Sequence, residues 1–262
     1  MKTIVISIKE KNELRRSHIT EQFKKNNVDF AFFDAITPDK ITKTEREIGI
    51  DLSDSGLSLG GKGCLLSHIK IWQLAIENKD EYVTVFEDDI YLSPYASVYL
   101  SNSDWIPSNI DLIKIEKYNK YFPRFGCQKI KTLHNRVLYE LKKVNLGTGG
   151  YIIKTDAAKK ILNRLSTKQD ILAIDVEMFT PELNKNIKCF MIEPALCIQD
   201  FIFNDSKKTK FPSFTKSESA DHKKAHIKQK KTLLIKLKRE ASRLLPLHLI
   251  KKHIFSKKST YK

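Results

Sequence analysis

An apolar run of β-branched and aromatic residues over positions 82–86 leads directly into three consecutive acidic residues, Glu87, Asp88 and Asp89. This run lacks the alternation of a half-exposed strand and is typical of a strand buried on both faces, as in a parallel sheet. Open α/β sheets bind ligands outside the carboxyl ends of their strands. The pattern therefore predicts a buried strand whose carboxyl end presents an acidic cluster to a ligand.

Shorter periodic segments flank this strand on both sides. Asn12 precedes an amphipathic segment and is a suitable helix N-cap. The opening succession of strand, helix and strand predicts an α/β, Rossmann-like nucleotide-binding domain. We expect strands over residues 4–8, 28–33, 110–115 and 187–192, and helices over residues 13–26, 65–76 and 157–165.

The acidic cluster at residues 87–89 has two interpretations. Three adjacent carboxylates repel one another, and hard oxygen ligands suit Mg²⁺ or Mn²⁺. The cluster is therefore a candidate site for a divalent metal. The alternative is an acidic loop that follows the strand and only caps the next helix.

A glycine-rich segment over residues 60–63 precedes the predicted helix over residues 65–76, and it places Gly61 and Lys62 where a ligand could approach the backbone. Its spacing matches neither a P-loop nor a dinucleotide fingerprint. Ser67 and His68 lie beside the apolar stripe of the same helix. His68 is either a hydrogen-bonded core residue or part of a binding site.

A second glycine-rich turn contains Gly147, Thr148 and Gly149 and enters another predicted strand. It is a second place where the backbone could approach a ligand closely. Asp34 ends a predicted strand, so it could accept a hydrogen bond from a base or ribose, or equally cap the turn before Pro38.

Two further carboxylates, Asp175 and Glu177, stand among apolar residues in segment 171–179. They are either exposed on one side of an edge element or held in a cleft. In a cleft, burial would raise their pKa and make either residue a usable general base.

The net charge of +16 is unevenly distributed along the 262 residues. Residues 205–262 carry 18 Lys and Arg against 4 Asp and Glu, whereas residues 1–204 carry 29 against 27. We therefore expect a catalytic or binding domain over residues 1–204 and a basic tail over residues 205–262. Leucines on one face of residues 233–245 predict a basic amphipathic helix on an anionic membrane surface.

The alternative for this helix is docking on the body with a solvated basic face. Nucleic-acid binding is disfavoured because aromatic residues are nearly absent among the basic ones. The four cysteines show no metal-finger spacing, and the first apolar run is too short for a secretory signal core. Without an apolar stretch of about 18 residues, we expect a cytosolic protein.

Several segments, taken in order, resemble glycosyltransferase family 25, the bacterial lipooligosaccharide and lipopolysaccharide galactosyltransferases. The resemblance covers essentially residues 1–200. The segments that carry it are residues 12–16 (Asn-Glu-Leu-Arg-Arg), 32–35 (Phe-Phe-Asp-Ala), 63–68 (Gly-Cys-Leu-Leu-Ser-His), 85–89 (Val-Phe-Glu-Asp-Asp), 147–153 (Gly-Thr-Gly-Gly-Tyr-Ile-Ile), 174–175 (Ile-Asp) and 194–197 (Pro-Ala-Leu-Cys).

The resemblance implies a GT-A-type fold and inverting transfer of a hexose, galactose or glucose, from a UDP-sugar to a lipooligosaccharide or lipopolysaccharide glycan. It implies that Asp89 and Glu87 hold Mn²⁺ or Mg²⁺, although Glu87 stands where the family motif has Asp. Asp175 is our expected general base, with Glu177 second. The expected nucleotide-sugar-binding residues are Arg15, Arg16, Asp34, Gly61, Lys62, Ser67, His68, Glu87, Asp88, Gly147, Thr148 and Gly149.

Two other classes of function compete with this hypothesis. The first is a non-catalytic sugar- or nucleotide-binding module with the same fold. The second is a protein that binds an anionic polymer through its basic tail. The presence of Glu87, Asp89 and Asp175 together favours the enzyme.

Overall fold

The computed structural model describes residues 1–10, 12–123, 126–204, 208–211 and 256–261. The strands are β1 (Lys2–Ser7), β2 (Ala31–Asp34), β3 (Tyr82–Glu87), β4 (Ile90–Leu92), β5 (Leu112–Lys114), β6 (Glu116–Lys117), β7 (Tyr121–Pro123), β8 (Lys129–Lys131), β9 (Val137–Glu140), β10 (Gly150–Lys154), β11 (Cys189–Glu193), β12 (Cys197–Gln199) and β13 (Ser256–Lys258). The α-helices are α1 (Glu13–Lys25), α2 (Ile41–Ile48), α3 (Leu59–Glu77), α4 (Ala96–Leu100), α5 (Thr155–Ser166), α6 (Ile174–Phe179) and α7 (Asp200–Phe203).

Eight strands form a central mixed sheet in the order β2-β1-β3-β10-β5-β11-β9-β8. β1 pairs in parallel with β2 and β3, whereas β10 is antiparallel to both β3 and β5. The predicted α/β class is confirmed. The expectation that β3 belongs to a parallel sheet holds only on its β1 side. Burial of both faces depends on the layers that cover a sheet and does not reveal strand direction.

Two apolar layers cover the faces of this sheet, and successive residues of β3 alternate between them. Val83 and Val85 pack into the layer that contains Trp72 of α3. Phe86 packs into the opposite layer, where its ring lies edge-on to Phe23 of α1 at 5.6 Å between centroids. This double burial fixes the direction in which β3 delivers the acidic residues at its carboxyl end.

Helix α3 crosses close to the loop after β2. A Cβ added to Gly63 would lie 2.2 Å from the carbonyl oxygen of Ile36. The Ser67 hydroxyl accepts a hydrogen bond from the Ile36 N–H at 2.8 Å and donates to the Gly63 carbonyl at 2.7 Å. A glycine at position 63 therefore lets α3 pack closely against the loop after β2, where a larger residue would clash with Ile36.

A second, three-stranded sheet, β4-β12-β6, lies beside the carboxyl end of β3. β12 pairs antiparallel with β4 and parallel with β6. Directly after β12, the Asp200 N–H donates to the Asp89 carbonyl at 2.8 Å. The small sheet thus brings the end of β12 against the acidic residues that follow β3.

Parts of the predicted tail pack on the body. β13 pairs antiparallel with β7. Ser259 is buried and its hydroxyl donates to Glu193, while the Thr260 N–H donates to the same carboxylate at 2.9 Å. The Tyr261 hydroxyl donates to the Leu92 carbonyl at 2.6 Å.

The division expected at residue 204 therefore does not separate the described segments from the body. The boundary was placed where the charge composition changes. Charge composition does not show that residues 256–258 of the basic tail form a strand that pairs with the body. The predicted amphipathic helix over residues 233–245 lies outside the described residues. Within the described part of the chain, every helix is too short or too polar to cross a lipid bilayer.

Candidate functional site

The outer carboxylates of the acidic cluster face the end of β12. Glu87 accepts hydrogen bonds from the Thr148 hydroxyl at 2.6 Å and from the Gln199 amide at 2.9 Å. The same Gln199 amide donates to Asp89 at 3.2 Å. Burial and then the charge of Asp89 raise the pKa of Glu87 to about 8. Burial, opposed by the nearby Arg15 guanidinium, raises the pKa of Asp89 to about 6. The two carboxyl groups therefore resist being ionised together in one poorly solvated place.

The middle carboxylate, Asp88, points in a different direction. It forms an ion pair with Arg15 and accepts hydrogen bonds from the Ser7 hydroxyl at 2.7 Å and the Asn12 amide at 3.3 Å. Asn12 stands at the N-cap of α1, but its side chain makes no capping bond. The predicted cap is thus corrected, because the Asn12 amide binds Asp88 instead.

The second glycine-rich turn binds carboxylates of the protein itself. The Gly147 N–H donates to Asp175 at 3.1 Å, and the Gly149 N–H donates to Glu116 at 3.0 Å. Gly147 has a φ of +92°, and a Cβ there would lie 2.4 Å from the ring of Tyr118. The two N–H groups that were expected near a ligand are therefore already engaged, and the turn acts through the carboxylates that it positions.

A cleft of about 580 Å³ opens in front of the acidic cluster. It lies between the ends of β1, β2 and β3 and the first turns of α3. The predicted site residues that line it are Arg15, Asp34, Ser67, His68, Glu87, Asp88 and Asp89. Gly60, Gly63 and Cys64 of α3 also line the cleft, whereas Gly61 and Lys62 do not. The Gly61 N–H is instead capped by the Ser58 hydroxyl at 3.1 Å.

Arg16 and Asp34 form an ion pair at the mouth of the cleft. The Arg16 guanidinium also lies over the Phe32 ring, 4.6 Å from its centroid, and donates to the Ser7 carbonyl at 3.2 Å. The Asp34 side chain is 50% exposed, so it remains open to a ligand. Asp34 was expected either to bind a ligand or to cap the turn before Pro38. Its exposed position in the cleft is consistent with the first interpretation.

His68 is fully buried in the wall of the cleft and belongs to a chain of three aromatic side chains. The Trp72 indole N–H donates to the Tyr151 hydroxyl at 3.0 Å, and that hydroxyl lies 2.7 Å from Nδ1 of His68. Burial lowers the pKa of His68 to about 3, so the ring is neutral. His68 is thus a hydrogen-bonded core residue, as one interpretation expected, and it also lines the cleft.

Segment 171–179 forms helix α6, and its two carboxylates have different surroundings. Asp175 accepts a hydrogen bond from the Gly147 N–H and therefore lies beside the second glycine-rich turn. Glu177 is fully buried and accepts bonds from Arg164, Lys168 and the Leu172 N–H. Burial alone would raise the pKa of Glu177, but these three partners outweigh it and lower the pKa. The structure therefore argues against Glu177 as the second base.

Three residues of the site were missed by sequence reasoning, namely Lys114, Glu116 and Gln199. Lys114 and Glu116 form a fully buried ion pair at 3.0 Å, and the Lys114 ammonium lies 4.5 Å from the centroid of the Phe179 ring. The available signal was that Lys114 and Glu116 alternate with apolar residues in segment 112–116. Buried charges are paired or functional, so these two could have been noticed. Gln199 carries no local signal.

Comparison with known proteins places this geometry in a biochemical context. The family described as glycosyltransferase family 25 (LPS biosynthesis protein) matches residues 1–180. A Haemophilus influenzae protein whose name places it among the glycosyltransferases is 36% identical, over 88% of this chain and 80% of its own. The lipooligosaccharide biosynthesis protein lex-1 of the same organism is 30% identical, over 91% of this chain and 88% of its own.

A third relative is the lacto-N-neotetraose biosynthesis glycosyltransferase LgtE of Neisseria gonorrhoeae. It is 31% identical, over 76% of this chain and 74% of its own. Among solved structures, a glycosyltransferase involved in glycosylation of the PBCV-1 major capsid superposes with a TM-score of 0.32 at 11% identity, covering 85% of this chain and 99% of its own. The family match over residues 1–180 is sufficient by itself: the chain belongs to glycosyltransferase family 25.

Proposed function

We propose that this glycosyltransferase moves a hexose, with galactose favoured over glucose, from a UDP-sugar to a lipooligosaccharide or lipopolysaccharide glycan, with inversion at the anomeric carbon. The observation that carries this proposal is the pair of adjacent, mutually repelling carboxylates, half-buried Glu87 and buried Asp89, beside the 580 Å³ cleft. The relatives named for lipooligosaccharide biosynthesis support the class of acceptor.

The residues present fit a divalent cation, Mn²⁺ or Mg²⁺. The raised pKa values of Glu87 and Asp89 mean that their ionised forms are unfavourable without a counter-charge, which a cation would supply. Both residues offer the hard oxygen ligands that these ions prefer. Such an ion, when bound, supplies positive charge that stabilises the negative charge developing on a UDP leaving group. Asp88 takes no direct part, because Arg15, Ser7 and Asn12 already bind its carboxylate.

Asp175 is the proposed general base that removes the proton from the acceptor hydroxyl. Its Oδ2 accepts the Gly147 N–H at 3.1 Å and its Oδ1 accepts the Val176 N–H at 2.8 Å, so its orientation is fixed. An inverting displacement requires a base of fixed orientation that can remove the proton of the attacking hydroxyl. We assign Glu177 the separate role of tying α6 to α5 through Arg164.

Donor recognition is proposed to occur in the cleft. Asp34, held by Arg16 at the cleft mouth, would accept hydrogen bonds from the nucleoside. Ser67 and His68 line the inner wall near the acidic cluster. Gly147, Thr148 and Gly149 contribute indirectly, since Thr148 orients Glu87 and the two glycines orient Asp175 and Glu116.

A peripheral position on the cytoplasmic face of the inner membrane is also part of the proposal. Residues 212–255 carry 12 Lys and Arg against 3 Asp and Glu, and we call them the basic segment. Basic residues of this density are attracted to anionic lipid surfaces. The acceptor glycan is anchored on such a surface, so attraction of the enzyme to it would concentrate enzyme and acceptor together.

The proposal is tested by measuring UDP release from UDP-galactose and UDP-glucose, with and without a purified lipooligosaccharide acceptor. We expect release that needs both the acceptor and Mn²⁺ or Mg²⁺, and that is lost in Asp89→Ala. A non-catalytic binding module would bind the UDP-sugar in calorimetry and release no UDP under any of these conditions. Such a result would overturn the proposed activity while leaving the family membership intact.

A further inference from the structure

The chain Trp72–Tyr151–His68 fixes the position of a proton. An indole N–H can only donate, so the Tyr151 hydroxyl is the acceptor in its 3.0 Å contact with Trp72. The hydroxyl has one proton of its own, and among the described residues His68 Nδ1, at 2.7 Å, is the acceptor available to it. Nδ1 of His68 therefore accepts, and the neutral ring carries its proton on Nε2.

Nε2 of His68 is buried and has no hydrogen-bond partner among the described residues. Its residue lines the cleft, together with Glu87. A buried donor without a partner is unfavourable, because it has lost its hydrogen bond to water. Buried polar groups are usually satisfied, so an orphaned N–H in the wall of a binding cleft points to a ligand atom that completes it.

The spacing of His68 and Glu87 indicates which kind of atom fits. One possible ligand atom from each of Cys64, His68 and Glu87, a ring nitrogen in the case of His68, lies within 4.8 Å of the other two. A histidine nitrogen and a carboxylate oxygen at that separation can both lie about 2.8 Å from one bridging oxygen. A hydroxyl oxygen suits the place, because it can accept from the His68 N–H and donate its own proton to the Glu87 carboxylate.

The same three residues have the side-chain types of a zinc site, and the tautomer decides between the two possibilities. A metal would need a lone pair on Nε2 of His68. The hydrogen bonds from Trp72 through Tyr151 place a proton on that atom instead. The structure thus favours an oxygen acceptor over a metal ion at Nε2.

We propose that His68 is a specificity-determining residue whose Nε2–H donates a hydrogen bond to one hydroxyl oxygen of the donor hexose, and that Tyr151 is the positioning residue that holds it in this tautomer; this rests on the UDP-hexose function proposed above. A donor that lacks the hydroxyl leaves the N–H buried and unpaired. Sites built to bind a hydroxyl reject analogues without it far more strongly than apolar pockets reject small changes.

The first test reads the tautomer and needs no activity. Nitrogen-15 histidine spectra of the full-length protein are recorded for the wild type, for His68→Phe to assign the His68 signals, and for Tyr151→Phe. We expect Nε2 of His68 to carry the proton in the wild type and the tautomers to mix in Tyr151→Phe. A proton on Nδ1 of His68 in the wild type would overturn the inference.

The second test measures binding of UDP-hexose and of its singly deoxygenated analogues by calorimetry. In the wild type, we expect removal of one particular hydroxyl to weaken binding at least about 10-fold. In His68→Phe the parent donor should bind about as weakly as that analogue, so the penalty for losing the hydroxyl should vanish. Thermal unfolding of both proteins checks that the variant is folded.

His68→Gln, which can restore an N–H near the same place, should recover part of the discrimination. Equal weakening of every donor in His68→Phe, with no donor singled out, would overturn the inference and leave the proposed function standing. A wild-type protein that binds no UDP-hexose would overturn both, so the two failures are distinguishable.

Discussion

The Arg15 guanidinium and the Asp88 carboxylate form an ion pair in which both side chains are almost completely buried. The pair joins α1 to the end of β3 and gives the middle carboxylate a buried counter-charge. Asp89 lies 3.8 Å from the same guanidinium. Three consecutive acids thus have different partners in the fold, and only Asp88 is bound by an arginine, a serine and an asparagine together.

The first prediction concerns the free energy of unfolding. Asp88→Ala should lower it by about 3 kcal/mol or more, because removal of one partner leaves the other charge buried. Asp34→Ala is the matched control, since its ion pair with Arg16 is half exposed and should contribute at most about 1 kcal/mol. Urea denaturation measures both losses. Equal losses would show that burial of the Arg15 pair does not matter for stability.

The second prediction concerns pH and metal binding. Glu87 and Asp89 have pKa values of about 8 and about 6 in the folded, metal-free protein, both above their unfolded values. The folded state therefore binds more protons than the unfolded state, and metal-free stability should fall as pH rises from about 4 to 8. A bound cation displaces those protons, so Mn²⁺ affinity should rise over pH 6 to 8.

Calorimetry at pH 6, 7 and 8 in two buffers of different ionisation enthalpy counts the protons that Mn²⁺ releases. Asp89→Ala should abolish metal-dependent turnover without unfolding the protein. Full activity in that variant, or Mn²⁺ affinity that does not change with pH, would show that Asp89 is not a metal ligand.

The third prediction separates Asp175 from Glu177. Asp175→Asn should retain donor binding while transfer falls about 10²-fold or more, because only the base is lost. An unchanged rate would assign the base elsewhere. Single-turnover transfer and calorimetric binding of UDP-hexose measure the two effects separately.

Glu177→Gln is the matched control for Asp175→Asn. The pKa of Glu177 in the folded wild type is lowered. Its carboxylate therefore stabilises the protein above the unfolded pKa of about 4.5, and this contribution is lost as pH falls through the lower folded pKa. The variant should therefore be less stable at neutral pH and show a shallower loss of stability with acid. Transfer per folded molecule should change little.

The fourth prediction uses two glycines in the first turn of one helix. Gly63→Ala should be strongly destabilising, because its Cβ would lie 2.2 Å from the Ile36 carbonyl oxygen, a backbone atom. At Gly61 the nearest atom to an added Cβ is the Ser58 hydroxyl oxygen at 3.4 Å. Gly61→Ala should be neutral or stabilise the helix by up to about 1 kcal/mol. Thermal unfolding of the two variants gives the comparison.

The fifth prediction tests membrane attachment. Truncation at residue 204 would also remove Phe211, whose carbonyl accepts from Arg15, and Ser259, which donates to Glu193. The better variant replaces residues 212–255 by a Gly-Ser segment of equal length. It should keep its stability and lose salt-sensitive binding to vesicles that contain anionic lipid. If the variant floated with anionic vesicles as well as the wild type does, the basic segment would not be the part that binds the membrane.

The acidic end of β3 could be predicted because its signal is local. An unbroken apolar run followed by Glu87–Asp89 occupies consecutive positions, and the strand covers the residues expected of it. Helix α1 ends at Lys25, within one residue of the expectation, for the same reason. Strand β2 covers Ala31–Asp34 and not residues 28–33, because a short apolar segment leaves its register open.

The partners of these acids could not be predicted, because tertiary pairing brings them together. Gln199 reaches Glu87 across 112 residues, and Thr148 reaches it across 61. β10 runs antiparallel to β3, which places the turn before β10 at the carboxyl end of β3. Nothing in the local sequence reports that pairing. Segment 171–179 was ambiguous because apolar residues around two acids suit a helix and an edge strand equally.

The pairing of β13 with β7 has a consequence for the order in which the protein is made. Translation adds residues toward the carboxyl end, so the basic segment is synthesised before residues 256–261. Glu193 can acquire its bonds from Ser259 and Thr260 only after every basic residue of that segment has been joined to the chain. A nascent chain would accordingly carry the complete basic segment before these contacts with the body form, so the proposed attraction to anionic surfaces would precede the final packing step.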